Sequence, residues 1–204
     1  MQVSLTILFA YLIGSVPFGL LLSRLRGRDP RKIGSGNIGA TNVVRTAGIG
    51  FGIATLAADI LKGYIPVIVA IHCGQPPIIV ASLGLALFLG HLFPIYLRFK
   101  GGKGVATALG VFLALGPLAT LLAAGVFILV TVICRYVSLG SLFSIGVIPP
   151  LFLFFHVPSP YIYLSVIVVF LVFFKHWGNI ERLRAGTESK FSFRSRSSSQ
   201  NQDA

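Results

Sequence analysis

VATALGVFLALGPLATLLAAGVFILVTVIC, residues 105–134, is the stretch on which the fold turns. A membrane-spanning helix needs about 20 apolar residues. At about 30 residues this run is long for one tilted helix and short for two full ones, and Gly116-Pro117 interrupts it. The flanking charges decide between one crossing and two. Residues 23–48 carry Arg24, Arg26, Arg28, Arg31, Lys32 and Arg45, whereas residues 72–77 carry no lysine or arginine. Residues 98–104 carry Arg98, Lys100 and Lys103, and the segment after the last apolar run carries Lys175, Arg182, Arg184, Lys190, Arg194 and Arg196. Lysine and arginine collect in cytoplasmic loops, so these three basic segments belong on one side. A single crossing between Lys103 and Arg135 would set Arg135 and the C-terminal segment against that rule. Two short crossings broken at Gly116-Pro117 put Arg135 inside, the bare connector 156–160 outside and the C-terminal segment inside.

The other apolar runs are 3–22, 49–71, 78–97, 136–155 and 161–174. An open backbone cannot be satisfied in lipid, so the spanning elements are helices. The expected fold class is all-α: a polytopic membrane protein with seven transmembrane helices, N-terminus out and C-terminus in. Composition agrees. Of 204 residues 55% are hydrophobic and 11% charged, where a soluble domain carries about a quarter charged. That excludes both an ordinary cytosolic enzyme and a disordered chain. The net charge of +12 reads as cytoplasmic loop charge, with no basic-aromatic module that would indicate nucleic acid. Cys73 and Cys134 form no disulfide framework and no C-x-x-C site. They are expected near opposite membrane faces as small buried hydrophobes. Residues 1–22 lack a basic n-region and a cleavage pattern, so this segment is expected to stay in the membrane. Residues 1–190 form one transmembrane domain, and FSFRSRSSSQNQDA (191–204) is expected to be a disordered polar tail.

Three polar clusters punctuate the basic segments. The first is GSGNIGATNVVR, residues 34–45. Its opening matches G-x-G-x-x-G with Asp59 about 20 residues on, but no strand precedes it, so a dinucleotide site is excluded. Gly36 and Gly39 let backbone N–H groups converge; Ser35, Asn37, Thr41 and Asn42 add neutral donors, and Arg45 adds charge. Together they suit an anion cradle. The second is KGGKGVAT, residues 100–107. Leu97 stands where a P-loop needs glycine, so that motif fails. Gly101, Gly102 and Gly104 nevertheless form a turn running straight into a helix, and the free N–H groups, the helix dipole and Lys103 all favour phosphate. The third contains His176, Asn179, Glu181, Arg182, Gly186 and Glu188, with His176 and Asn179 on one helical face.

Asp59 and Lys62 lie inside the second apolar run, where charges are paired or functional; their i,i+3 spacing permits a mutual ion pair. His91 is expected to make an interhelical hydrogen bond. All three polar clusters lie on the cytoplasmic side, and the outside connectors are short and bare. A transporter binds substrate near the midplane from both sides. An enzyme combining water-soluble and lipidic substrates needs a site on one face only.

In these residues the chain resembles the bacterial acyl-phosphate-dependent glycerol-3-phosphate acyltransferases, small membrane enzymes that begin phospholipid synthesis. The resemblance covers about residues 1–190 and rests on GSGNIGATNVVR (34–45), FPIYLRFKGGKGVAT (93–107) and HWGNIERLRAGTESK (176–190). It implies transfer of a fatty acyl group from acyl phosphate to the 1-hydroxyl of glycerol-3-phosphate, giving lysophosphatidate and phosphate. It further implies membrane lipid as a partner, no nucleic acid and a multi-pass location in the bacterial inner membrane, with the active site on the cytoplasmic face. By the same resemblance Ser35, Arg45 and Lys103 hold the glycerol-3-phosphate phosphate. The N–H groups around Thr41 and Asn42, with Lys103 shared, hold the acyl phosphate. His176 and Asn179 position the acceptor, and Ser138 and Ser141 are lesser donors. No metal cluster of suitable spacing exists, so no cofactor is expected. The proton of the attacking hydroxyl can go to His176 or to a substrate phosphate oxygen, with substrate assistance slightly favoured. The rival reading is an organophosphate or lipid-precursor transporter. A CDP-alcohol phosphotransferase would need an aspartate-rich metal motif, which five acidic residues do not supply.

Overall fold

The computed structural model describes residues 2–190; the expectation for 191–204 lies outside the described residues. Eleven helices follow one another without a strand among the described residues: α1 (Gln2–Ser15), α2 (Phe18–Arg24), α3 (Ala40–Ala47), α4 (Ile49–His72), α5 (Pro77–Leu92), α6 (Val105–Leu115), α7 (Pro117–Cys134), α8 (Val137–Gly146), α9 (Ile148–Phe154), α10 (Ser159–Lys175) and α11 (Trp177–Arg184). Five segments are long and apolar enough to cross a membrane: Val3–Arg24, Ile49–His72, Pro77–Leu97, Pro117–Cys134 and Val137–Phe154. The pair α10 and α11, bent by 58° at His176, makes a sixth if taken as one span. The eleven residues of α6 are apolar but short.

The breaks have local causes. The run 105–134 divides where expected: α6 stops at Leu115, and Pro117 takes the first position of α7, where a missing N–H costs nothing. Gly116 sits there because a Cβ would meet the Phe152 ring. The first span is interrupted at Val16-Pro17, since proline cannot donate into a helix. The run 136–155 is two helices, α8 and α9, with their joint at Val147. In the third run the helix ends at Leu92, ahead of Pro94, and a short 3-10 turn over Ile95–Leu97 continues it.

In lipid, helices gain little from burying apolar surface against each other, so small residues that allow close approach matter more. Two pairs show this. In α1 and α5, a Cβ on Gly14 would strike the Leu87 carbonyl, and one on Gly90 would strike the Tyr11 carbonyl. In α4 and α6, Gly63 lies against the Thr107 carbonyl and Gly110 against that of Ile60. Between these pairs lies a core that includes Phe88, Phe112 and Phe152, with Phe112 and Phe152 edge-to-face at 5.5 Å. Large apolar side chains such as Ile49, Phe154 and Phe170 face outward, as lipid contact allows. One expectation is corrected. Cys73 is exposed just beyond α4, where the helix has already ended, and is not a buried hydrophobe; Cys134 is half-buried, and both thiols are free.

Candidate active site

The loop ahead of α3 is tied together from within. Asn42, buried in the first turn of α3, accepts from the Ser35 N–H at 2.9 Å through Oδ1. Its Nδ2 faces the carbonyls of Pro30 (2.7 Å), Asn37 (2.8 Å) and Ile33 (3.1 Å). Asn37 Oδ1 accepts from the Gly39 N–H at 2.7 Å. Both amides therefore serve as loop scaffold. Gly34 and Gly36 take positive φ (66° and 72°) to complete the turn, a conformation in which other residues are strained. Ser35, Thr41 and Arg45 remain exposed.

The second loop is folded hard against the end of α5. The Gly102 N–H donates to the His91 carbonyl at 3.1 Å. A Cβ on Gly101 would collide with that carbonyl, and a Cβ on Gly102 with His91 Nε2. Gly104 then opens α6 at φ 83°, and the first in-helix acceptor is its own carbonyl, bonded by Ala108 N–H at 2.8 Å. The N–H groups of Val105, Ala106 and Thr107 precede that bond, as at any helix start, and no side chain caps them. The Thr107 hydroxyl, fully buried in this turn, has no hydrogen-bond partner. Lys103, two residues before the helix, donates from Nζ to Asn179 Oδ1. Burial pushes its pKa down to about 8; Glu188 pulls it back in part, and Arg182 and Arg45 add to the fall.

The third cluster is held by Glu188. Its Oε1 accepts from Asn179 Nδ2 at 2.6 Å and from Ser138 Oγ at 2.7 Å, while Oε2 accepts from Arg182 Nε at 2.7 Å. Burial raises the Glu188 carboxyl, but these hydrogen bonds outweigh it, and the net shift is downward. His176 occupies the bend between α10 and α11 and is 2% exposed. Its Nδ1 donates to the Val172 carbonyl at 2.9 Å; a carbonyl only accepts, so Nδ1 carries the proton and Nε2 the lone pair. Burial, reinforced by Lys103, drives the His176 pKa down to about 4. The ring is thus neutral with its basic nitrogen available.

The second and third clusters meet through Lys103 and Asn179, and Arg45 of the first lies close enough to act on Lys103. Ser138 joins them through Glu188. Ser141, although buried, turns its hydroxyl back to the Val137 carbonyl at 2.8 Å. Ser35 is placed by Asn42 but makes no hydrogen bond to the other clusters among the described residues. Glu188 and Arg182, named in the third cluster without a role, are its organisers; their charges, spaced for pairing, were the only signal. Deeper in the bundle, Asp59 and Lys62 form the i,i+3 ion pair at 2.7 Å, and His91 Nδ1 lies 2.9 Å from Lys62 Nζ. An exposed arginine, a half-buried ammonium, uncapped N–H groups and a neutral imidazole can together gather anions beside a nucleophile.

The glycerol-3-phosphate acyltransferase family model matches residues 4–186. The glycerol-3-phosphate acyltransferase of Trichlorobacter lovleyi is 55% identical over 183 residues, covering 89% of this chain and 94% of that one. That of Geotalea daltonii is 54% identical over 185 residues, covering 91% and 95%. The crystal structure of PlsY, an integral membrane glycerol 3-phosphate acyltransferase, in its glycerol 3-phosphate form superposes with a TM-score of 0.90 at 37% identity, covering 94% of this chain and 96% of that one. The lysophosphatidic acid form gives 0.87 at 35% identity. With the family's pattern running almost end to end and an integral membrane relative of the same shape, this chain, all-helical over its described residues, belongs to the glycerol-3-phosphate acyltransferase family.

Proposed function

We propose that this enzyme moves a fatty acyl group from acyl phosphate to the 1-hydroxyl of glycerol-3-phosphate, giving lysophosphatidate and inorganic phosphate. The observation that carries the reading is the bond from Lys103 to Asn179. It ties the glycine-lysine turn to the histidine-asparagine helix, with Arg45 within electrostatic reach and His176 alongside. Both reactants carry phosphate, and a site that assembles cations and free N–H groups from separate loops suits two anions better than one.

Ser35, Arg45 and Lys103 hold the phosphate of glycerol-3-phosphate, with Gly36 and Gly39 allowing its close approach. The N–H groups of Thr41, Gly101 and Gly104, those opening α6, and Lys103 as a shared cation receive the acyl phosphate; the N–H groups of Asn42 and Gly102 are already bonded to the Gly39 and His91 carbonyls. Asn179 and His176 position the acceptor hydroxyl, supported by Ser138 and, more weakly, Ser141. The hydroxyl oxygen attacks the acyl carbonyl carbon, the carbon–oxygen bond to phosphate breaks, and phosphate leaves with the bonding pair. Orientation and charge neutralisation supply much of the rate because the donor is an activated anhydride. A ring with pKa about 4 is a weak proton acceptor, whereas a phosphate monoester has a second pKa of about 6. The hydroxyl proton therefore passes to a phosphate oxygen of substrate, and His176 Nε2 orients the hydroxyl.

The same reading takes the five candidate spans together with α6 and α10 as seven crossings of one domain, N-terminus out, with the bend at His176 at the membrane's edge. The site then sits on the cytoplasmic face of the bacterial inner membrane, and the acyl chain lies between helices in the inner leaflet. Clustering of the basic loops about one site supports this orientation. The test is direct: purified protein in detergent is given acyl phosphate and glycerol-3-phosphate, and lysophosphatidate and phosphate are measured. Formation of both without a sealed compartment supports the reading; their absence under these conditions, with glycerol-3-phosphate moved across vesicles instead, would establish the transporter.

A further inference from the structure

We infer that the buried cluster Asp59, Lys62 and His91 is a positioning device for the Gly101–Gly102 turn, setting where Lys103 stands without touching substrate. The inference rests on Lys103 being the shared phosphate ligand.

These three side chains are 2%, 6% and 5% exposed and belong to α4 and α5. Ionisable groups at such depth are costly, and an ion pair of this kind often adds no stability over an apolar replacement. Their placement gives them another use. Lys62 Nζ has the Asp59 carboxylate at 2.7 Å as counter-charge and directs hydrogen bonds to the Val16 carbonyl at 3.0 Å and to His91 Nδ1 at 2.9 Å. Val16 lies at the proline break of the first span, so one ammonium joins that break, α4 and α5. A lysine ammonium only donates, so His91 Nδ1 accepts, and the ring proton sits on Nε2. That nitrogen is the atom a Cβ on Gly102 would strike. The other end of the same residue, its carbonyl, accepts the Gly102 N–H at 3.1 Å and abuts Gly101. His91 thus grips the turn by ring and backbone, one residue before Lys103. Lys62 and Asp59 fix the plane of the ring.

The experiment compares full-length Lys62→Met, Lys62→Arg and Lys103→Ala enzymes in detergent by thermal unfolding, kcat, KM for glycerol-3-phosphate and the pH profile of kcat/KM. Lys62→Met leaves the buried Asp59 carboxylate unpaired and is expected to lower the melting temperature, while in the protein that stays folded KM rises on the order of 10- to 100-fold, the effect of displacing a binding group by about an ångström. Its alkaline limb, set by Lys103, shifts as well, and Lys62→Arg recovers part of both. Loss of turnover in proportion to folded protein, with KM and limb unchanged, would overturn the inference. Lys103→Ala separates the two levels. If it is inactive while Lys62→Met is normal, only the positioning role fails; if it is active, the reading of Lys103 fails. Should Lys62→Met not fold, Gly102→Ala and His91→Ala are combined. Ring contact requires the double variant to lose less than the sum of the single losses, and strict additivity would overturn it.

Discussion

Lys103 and Asn179, 76 residues apart in sequence, are joined directly: the lysine ammonium donates to the asparagine carbonyl oxygen, whose amide in turn donates to Glu188 at 2.6 Å. On the proposed reading, the pair is where an ammonium for phosphate and an amide for a hydroxyl become one site. It also fixes the electrostatics on which the first prediction rests.

Lys103 should set the alkaline limb of activity. It is charged below its pKa of about 8 and neutral above, so phosphate affinity falls as pH rises through that value. The profile of kcat/KM, which reports the free enzyme, is expected to bend downward near pH 8. Lys103→Arg should carry the limb well into the alkaline range, because guanidinium does not titrate there. Lys103→Ala should abolish turnover in protein that remains folded. A limb in Lys103→Arg unchanged from wild type would assign the titration to another group.

His176→Gln distinguishes a proton acceptor from an orienting group. Loss of a general base costs on the order of 10² to 10⁴-fold in kcat, whereas loss of one orienting hydrogen bond costs about tenfold. The smaller effect is expected. The pKa of about 4 also makes a prediction for folding. In the unfolded chain the imidazole binds its proton near its ordinary value of 6.5 and in the folded protein only near 4, so this residue's contribution weakens stability as pH falls between those values. Thermal unfolding of wild type and His176→Gln across that window should converge at neutral pH and separate in acid, with wild type the more sensitive.

Glu188→Gln should disorganise the third cluster. The carboxylate accepts from Ser138, Asn179 and Arg182 at once, and hydrogen bonds to a charged group are worth about 1.5–3 kcal/mol each before reorganisation. A fall in melting temperature is expected together with a lower kcat, since Asn179 loses the partner that aims it. Unchanged kcat would detach Asn179 from the chemistry.

Gly110→Leu should separate α6 from α4. Its Cβ position lies against the Ile60 carbonyl, so a side chain must push the helices apart, at about 1–3 kcal/mol for overpacking. A lower melting temperature in detergent is expected, whereas Gly125→Leu, with open space around it, should be tolerated.

How much of this could be read from the chain depends on the range of each interaction. The division at Gly116-Pro117 was legible because glycine and proline act locally, and the apolar runs because lipid demands a length. The three polar motifs marked the site by composition alone. Asn37 and Asn42 showed only that donors were present; whether an amide faces a ligand or its own loop is settled by turn geometry that spacing does not encode. The same holds for Glu188, whose three partners lie 6, 9 and 50 residues away. Glycines 101 and 102 looked like room for an anion, and in the structure they make room for His91.

The shortness of α6 has a consequence for where the reaction happens. At 1.5 Å per residue its eleven residues rise about 16 Å, against about 27 Å for the eighteen of α7, which starts from the same corner at Gly116. On the topology proposed above both helices reach toward the cytoplasm, and the head of α6 then stops about 10 Å deeper than the far end of α7. That proposal places the reacting centre beneath the headgroup plane. A donor moored by its hydrocarbon tail can meet a water-borne partner there without being hoisted out of the bilayer, and the small polar molecule makes the descent.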